Sequence, residues 1–406
     1  MITGLLHALL LCATAVSEPG PPAPVIEDPS GHALDGLFAA LATLEDDGRG
    51  LVRVMHVGDS SIGLDGLPHA LRKRMQGRFG DGGAGFVMLD RESANYEHRA
   101  ASLTASGWSV CYIAYKCDPS GRYGYGGHVF RGRDGATTRV STRSRGPHGR
   151  RVSHIELWYG ADPKGGTLHA RVDGDDWLEL DTRSDAPIER WHHFHVEPGP
   201  HRFELRHGGV GKPRAYGVVF ETDGPGVVWD TISMIGAFTR RLLSFDAEHV
   251  AAQVRHRDPA LVVFGFGGND LRRFHMGLDP AVFVQEFRAA LQLVRAGDRA
   301  RACLVVGVID HVRAGPSPVH PRDTRAMIAA QREAAFAEGC AFFDAVAAMG
   351  GPGSIRAWRR ADPPLAEPDL QHLSMRGRDV MAEMIFQGLM TRFDGFRRRG
   401  GGERRP

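Results

Sequence analysis

The chain has 406 residues, long enough for two domains, and its 42% hydrophobic and 24% charged content is that of an ordinary globular protein. A net charge of +2 gives no broad cationic field, so nucleic acid is not an expected partner. No pair of the five cysteines has zinc-site spacing, and neither a metal nor a cofactor is expected.

Residues 1–17 are apolar and carry no charged side chain. A membrane span needs ~20 such residues, so no transmembrane segment is expected. The small-x-small triplet Ala13-Thr14-Ala15 makes a cleaved signal peptide the better reading, with a buried or frayed segment as the alternative. Glu18-Pro19-Gly20-Pro21-Pro22-Ala23-Pro24 begins a stiff linker expected to run over 18–30. An exported protein, periplasmic or extracellular, is the expectation.

Leu51 to Val57 reads as a buried strand, and Gly58-Asp59-Ser60 follows it directly. Residues 61–76 read as a helix with Leu64, Leu67, Leu71 and Met75 on one face. From about residue 101 to 225 the helical period gives way to short alternating segments, such as 152–159 and 167–172, broken by Gly and Pro. That spacing predicts a β-sandwich, jelly-roll-like and similar to a carbohydrate-binding module, inserted between residues 31–100 and 226–395. Trp158, Tyr159, Trp177 and Trp191 could bind a glycan there; core filling is the preferred reading for each.

Beyond the insert, strands are expected at 227–235, 261–266, 303–309 and 341–343, and helices at 238–256, 280–296, 322–338 and 374–393. Strands alternating with helices predict a three-layer α/β fold with a parallel sheet, whose ligands bind at the carboxyl ends of the strands. Residues 396–406 read as a disordered basic tail. Cys111 and Cys117 are close enough for a disulfide, whereas Cys303 and Cys340 read as buried thiols.

Three short motifs carry chemistry. Gly58-Asp59-Ser60 alone reads as a turn with a helix cap. Gly267-Gly268-Asn269-Asp270 follows the strand ending at Phe266, and Asp369-Leu370-Gln371-His372 precedes the last helix. A serine hydroxyl needs a base within reach and a third group to orient that base. His372 and Asp369 could supply both, and Asn269 could donate to an oxyanion. Asp270 is expected as a structural partner and Asp59 as a fixer of the turn. Among the 20 histidines, His311 and His320 could also line the pocket. His192, His193 and His195 are not expected to hold a metal, because an alternating strand splits them between faces.

These blocks, with Gly236 after the strand at 227–235, resemble those of the SGNH (GDSL-type) hydrolases and stand in the same order. The resemblance covers roughly residues 50–95 and 225–395 and implies a flavodoxin-like fold. It also implies Ser60 as nucleophile, a Ser60–His372–Asp369 triad, and an oxyanion hole from the Ser60 and Gly236 N–H groups and the Asn269 amide. Ser61 stands where the GDSL name has leucine. Arg78 to Phe86, rich in glycine, and the β-rich insert resemble the peptidoglycan O-acetylesterases of that family. An acetylesterase acting on an acetylated polysaccharide is thus implied. A monomer is the expectation. An O-acetyltransferase using a sugar hydroxyl in place of water, or an inactive glycan-binding protein, are the alternatives.

Overall fold

The strands of the central sheet sort their side chains by parity. In Leu51–Gly58, Val52 and Val54 join one core while Met55 and Val57 join another; Leu261 and Val263 part from Val262 and Phe264 in the same way. Such a pattern demands cover on both sheet faces. The computed structural model describes residues 25–91, 93–312 and 319–400. The expected signal peptide, residues 18–24 of the linker and the last six residues lie outside the described residues.

In chain order the elements begin with β1 (Ile26–Glu27), α1 (Asp35–Asp47), β2 (Leu51–Gly58) and α2 (Gly66–Phe79). The β-rich stretch follows, with β3 (Gly85–Val87), β4 (Ala101–Ser106), β5 (Ser109–Tyr112), β6 (His128–Arg131), β7 (Thr137–Thr142) and β8 (Val152–Ala161). It continues through β9 (Thr167–Val172), β10 (Leu178–Asp181), β11 (Ile188–Gly199), β12 (Arg202–His207) and β13 (Arg214–Glu221). The chain then runs through β14 (Gly226–Ser233), α3 (Ala247–Arg257), β15 (Leu261–Gly265), α4 (Leu271–His275), α5 (Pro280–Val294) and β16 (Ala302–Val306). It ends with α6 (Pro321–Ala337), β17 (Ala341–Phe343), α7 (Ala345–Ala348), α8 (Ile355–Arg360) and α9 (Met375–Arg398).

The main sheet has the order β1-β17-β16-β15-β2-β14 and is parallel except for the short β1 at its edge. Leu37 and Leu41 of α1, Leu71 and Met75 of α2, and Met381 and Ile385 of α9 cover one face. Val254 of α3, Phe283 and Phe287 of α5, and Met327 of α6 cover the other. Two antiparallel sheets, β10-β9-β12-β7-β4 and β11-β8-β13-β6-β5, form the insert, with β3 paired to β13. Phe194 of one packs on Phe203 of the other at 5.8 Å between ring centroids. Their buried residues and those under α3, α5 and α6 make one continuous core. Buried polar groups tie the parts together: Asp230 of β14 accepts from Tyr125, Arg257 and the Phe86 N–H.

Several expectations change. The linker ends before residue 26, because Ile26 is buried in β1 and Glu27 pairs with Arg332. The final helix runs past 393 into the expected tail, held by Phe396 against Phe38 and by an Arg397–Asp46 ion pair. Residues 60–65 form a 3-10 turn, and α2 starts only at Gly66, because the backbone leaves helical geometry at Gly63 and Leu64. The helix expected from 238 starts at Ala247, where the Asp246 side chain caps the His249 N–H. Cys303 and Cys340 are joined in a disulfide rather than standing as thiols, since β16 and the residue leading into β17 place their Cα atoms 4.7 Å apart. Cys111 and Cys117 form the second disulfide. Trp158 and Tyr159 are buried in the core; Trp177 lies between Arg171 and Arg206, 4.3 and 4.1 Å from its ring.

Candidate active site

Ser60 sits immediately beyond β2, at the carboxyl end of the parallel sheet. Gly58 allows this, because a Cβ there would come within 2.6 Å of the Gly265 carbonyl on the neighbouring β15. Asp59 then locks two loops together: its carboxylate accepts from the Ser61 N–H at 2.9 Å and from the Gly268 N–H at 3.0 Å. The Gly58-Asp59-Ser60 and Gly267-Gly268-Asn269-Asp270 motifs are thereby held in one register.

The Ser60 Oγ lies 2.9 Å from His372 Nε2, and His372 Nδ1 lies 2.6 Å from Asp369 Oδ2. Three residues of separation suffice because the loop folds back on itself. Leu370 adopts φ +53°, and the other Asp369 oxygen accepts from the Gln371 and His372 N–H groups at 2.9 and 3.1 Å. Burial pushes the Asp369 carboxyl up, but the His372 ring and those two N–H groups outweigh it and hold the acid below its ordinary range. In the tautomer with its proton on Nδ1, the imidazole donates to that carboxylate and turns Nε2 to the Ser60 hydroxyl.

Gly236 follows β14 at φ +74°, a left-handed conformation that suits glycine. The Asn269 amide donates to the Ala237 carbonyl at 3.1 Å, and the Met234 N–H donates to the Gly58 carbonyl at 2.7 Å, so this loop is pinned beside Ser60. Neither the Ser60 nor the Gly236 N–H is used in a backbone hydrogen bond among the described residues. Asp270 is structural: it accepts from the Thr239 N–H and hydroxyl and pairs with Arg273. Burial raises its pKa above the usual value.

A cleft of about 80 Å³ opens beside the serine, lined by Ser60, Asn269, His311 and His372, with Ile62, Val306 and Val308 among its apolar walls. His311 is held below its ordinary pKa by burial. His320 lies elsewhere, at the start of α6 and 5.3 Å from the His275 ring. His56 packs against Trp229, and burial takes it down to about 3.

Ser60, His372, Asp369 and two N–H groups free of backbone hydrogen bonds therefore converge at the carboxyl end of the parallel sheet. The fold is that of the SGNH hydrolases. Among solved structures, the chain is similar to a peptidoglycan O-acetylesterase at 19% identity and a TM-score of 0.72, over 91% of this chain and 99% of that one. It is also similar to a lipase/acylhydrolase from Enterococcus faecalis (18% identity, 41% of this chain and 78% of that one, TM-score 0.32). A family two carbohydrate esterase from Cellvibrio japonicus aligns at 10% identity over 72% of this chain and 99% of that one, with a TM-score of 0.28. No protein-family model and no curated protein matches the chain.

One residue that holds the loop beside the site had no signal in the motifs. Tyr112, on β5 of the insert and next to the Cys111–Cys117 disulfide, donates its hydroxyl to the Ile235 carbonyl at 2.7 Å. That carbonyl belongs to the same planar peptide as the Gly236 N–H. A single tyrosine 123 positions away leaves no trace in local spacing.

Proposed function

We propose that this protein is an exported serine esterase that removes O-acetyl groups from a polysaccharide, with peptidoglycan the first candidate. The observation that carries the reading is the aligned Ser60–His372–Asp369 set beside two uncommitted N–H donors. His372 takes the Ser60 proton as Oγ attacks the ester carbonyl. The resulting oxyanion is met by the Ser60 and Gly236 N–H groups and the Asn269 amide, each such donor contributing ~10²–10³ in rate. Collapse releases the sugar hydroxyl, protonated by His372, and water then frees acetate from the acyl-enzyme by the same steps in reverse order.

A short acyl group fits the cleft of about 80 Å³ beside Ser60. The polysaccharide is supported by the whole-length likeness to a peptidoglycan O-acetylesterase. We read the insert as a jelly-roll-like module that presents the polymer. Two disulfides support export to an oxidising compartment.

The test is acetate release from O-acetylated peptidoglycan and from a soluble acetyl ester, by wild type and by Ser60→Ala. Release from both by wild type alone supports the reading. Release from the soluble ester only keeps the esterase and redirects the search to other glycans or to acyl transfer. Activity retained by Ser60→Ala would sink the serine mechanism.

A further inference from the structure

Glu156, His193 and His256 meet at the seam between the insert and α3. Glu156 on β8 and His193 on β11 are directly opposed in an antiparallel pair. His256 comes from the last turn of α3. His193 Nε2 lies 2.9 Å and His256 Nε2 2.8 Å from the same Glu156 oxygen, and one donor atom from each residue lies within 4.8 Å of the other two. We infer that this trio is a binding site for a divalent transition-metal ion, zinc by its chemistry, that clips the insert to the catalytic part.

Two imidazoles and one carboxylate form a donor set that zinc takes readily, whereas calcium asks for six or more oxygens. Ligand bonds of ~2.0–2.2 Å in a tetrahedron put neighbouring donor atoms roughly 3.4 Å apart. The contacts of 2.8 and 2.9 Å need to open only slightly to admit the ion.

The surroundings are those of a prepared ligand set. The second Glu156 oxygen accepts from Trp158 Nε1 at 2.6 Å, the kind of outer hydrogen bond that aims a ligating carboxylate. The His256 ring stacks on Trp191 at 3.9 Å with 16° between planes and meets the edge of Trp158 at 5.1 Å, so its orientation is fixed. Glu156 is buried, while the His193 side chain is 54% exposed, leaving a solvent-facing position for a water as fourth ligand.

Alternation along β11 does divide its histidines: His192 packs with Phe194, while His193 and His195 stack at 6.3 Å on the other side. The other two ligands come from elements remote in sequence, so local histidine spacing did not disclose the site. With two ligands from the insert and one from α3, the ion would cross-link the halves of the molecule. It touches none of the groups around Ser60, so the inference stands apart from the proposed esterase activity.

The experiment takes the full protein dialysed against a chelator and titrates Zn²⁺ in competition with a chromophoric chelator, with Co²⁺ absorption as a second probe of coordination. Variants are His193→Ala, whose exposure spares the fold, and His195→Ala as a neighbouring control. Wild type is expected to bind one Zn²⁺ and to gain thermal stability from it. In His193→Ala the affinity falls by more than the roughly 10–100-fold that loss of an outer partner costs, and the thermal gain disappears. His195→Ala behaves as wild type. Equal zinc affinity in wild type and His193→Ala, no zinc bound at micromolar concentration, or binding without stabilisation would each overturn the inference.

Discussion

Replacing Tyr112 by phenylalanine removes one hydroxyl and leaves the rest of its packing intact. The ring stacks on His128 at 4.4 Å and 4° between planes, and burial holds His128 down to about 4, so the stack is between neutral rings at pH 7. The substitution breaks the 2.7 Å hydrogen bond to the Ile235 carbonyl. A peptide unit is planar, so fixing its carbonyl fixes its N–H, which is the Gly236 donor. The bond cannot contribute more to that orientation than its own net strength of ~0.5–1.5 kcal/mol, a factor of about 2–13 in rate. Complete loss of the Gly236 donor would cost ~10²–10³, which sets the ceiling. Steady-state hydrolysis of a small acetyl ester should therefore show kcat lowered about 2–13-fold with KM unchanged, while chemical denaturation shows a loss of about 1 kcal/mol. A purely structural tyrosine would show the second effect without the first. Unchanged kcat in a folded variant would refute the argument.

Other expectations rest on separate parts of the molecule. Asn269→Ala removes the amide proposed to meet the oxyanion and the tie to Ala237, so kcat should fall ~10²–10³-fold with the fold retained, measured on the same ester. His56 and His128 are buried with pKa values near 3 and 4, below the ordinary value of 6.5. The unfolded chain thus binds protons that the folded one refuses, and stability present above pH 6.5 is lost as pH falls toward those values. Each imidazole takes on the order of 1.4 kcal/mol per pH unit, so urea midpoints should drop clearly between pH 7 and pH 5. Joining Cys303 to Cys340 closes a loop across 37 positions, worth roughly 4 kcal/mol by chain entropy. Replacing both by alanine should lower unfolding free energy by up to that amount, and an unchanged denaturation midpoint would argue that the bond is not formed.

What could be read from the chain was local. Gly58-Asp59-Ser60 and Asp369 to His372 are short, and each of these signals is complete within a few residues. The parallel strands were legible because both faces are buried, so β2, β15 and β16 are apolar runs. Boundaries failed where a tertiary contact decides them. Phe396 prolongs α9 because Phe38 waits for it, and Ile26 becomes a strand only because β17 offers an edge. Cys303 and Cys340 read as thiols because each sits in apolar sequence; only the parallel pairing of β16 and β17 brings them together. Tyr112 and the Glu156–His193–His256 trio lay beyond reach for the same reason, since their partners are set by how the insert folds against the main sheet.

The single core that runs from the antiparallel sheets to α3, α5 and α6 bears on how such a protein can be re-engineered. A module that closes on itself can be cut out, swapped or fused elsewhere. Here Tyr125, Arg257 and Asp230 join in the boundary, and Phe86 reaches into the insert to meet Trp158 at 5.6 Å. Excision would open a wound lined with aromatic rings and stranded charges rather than leave a smaller folded protein. Grafting a new specificity onto this scaffold is therefore a matter of redesigning surface loops on an indivisible body, and heat should melt that body in one cooperative step.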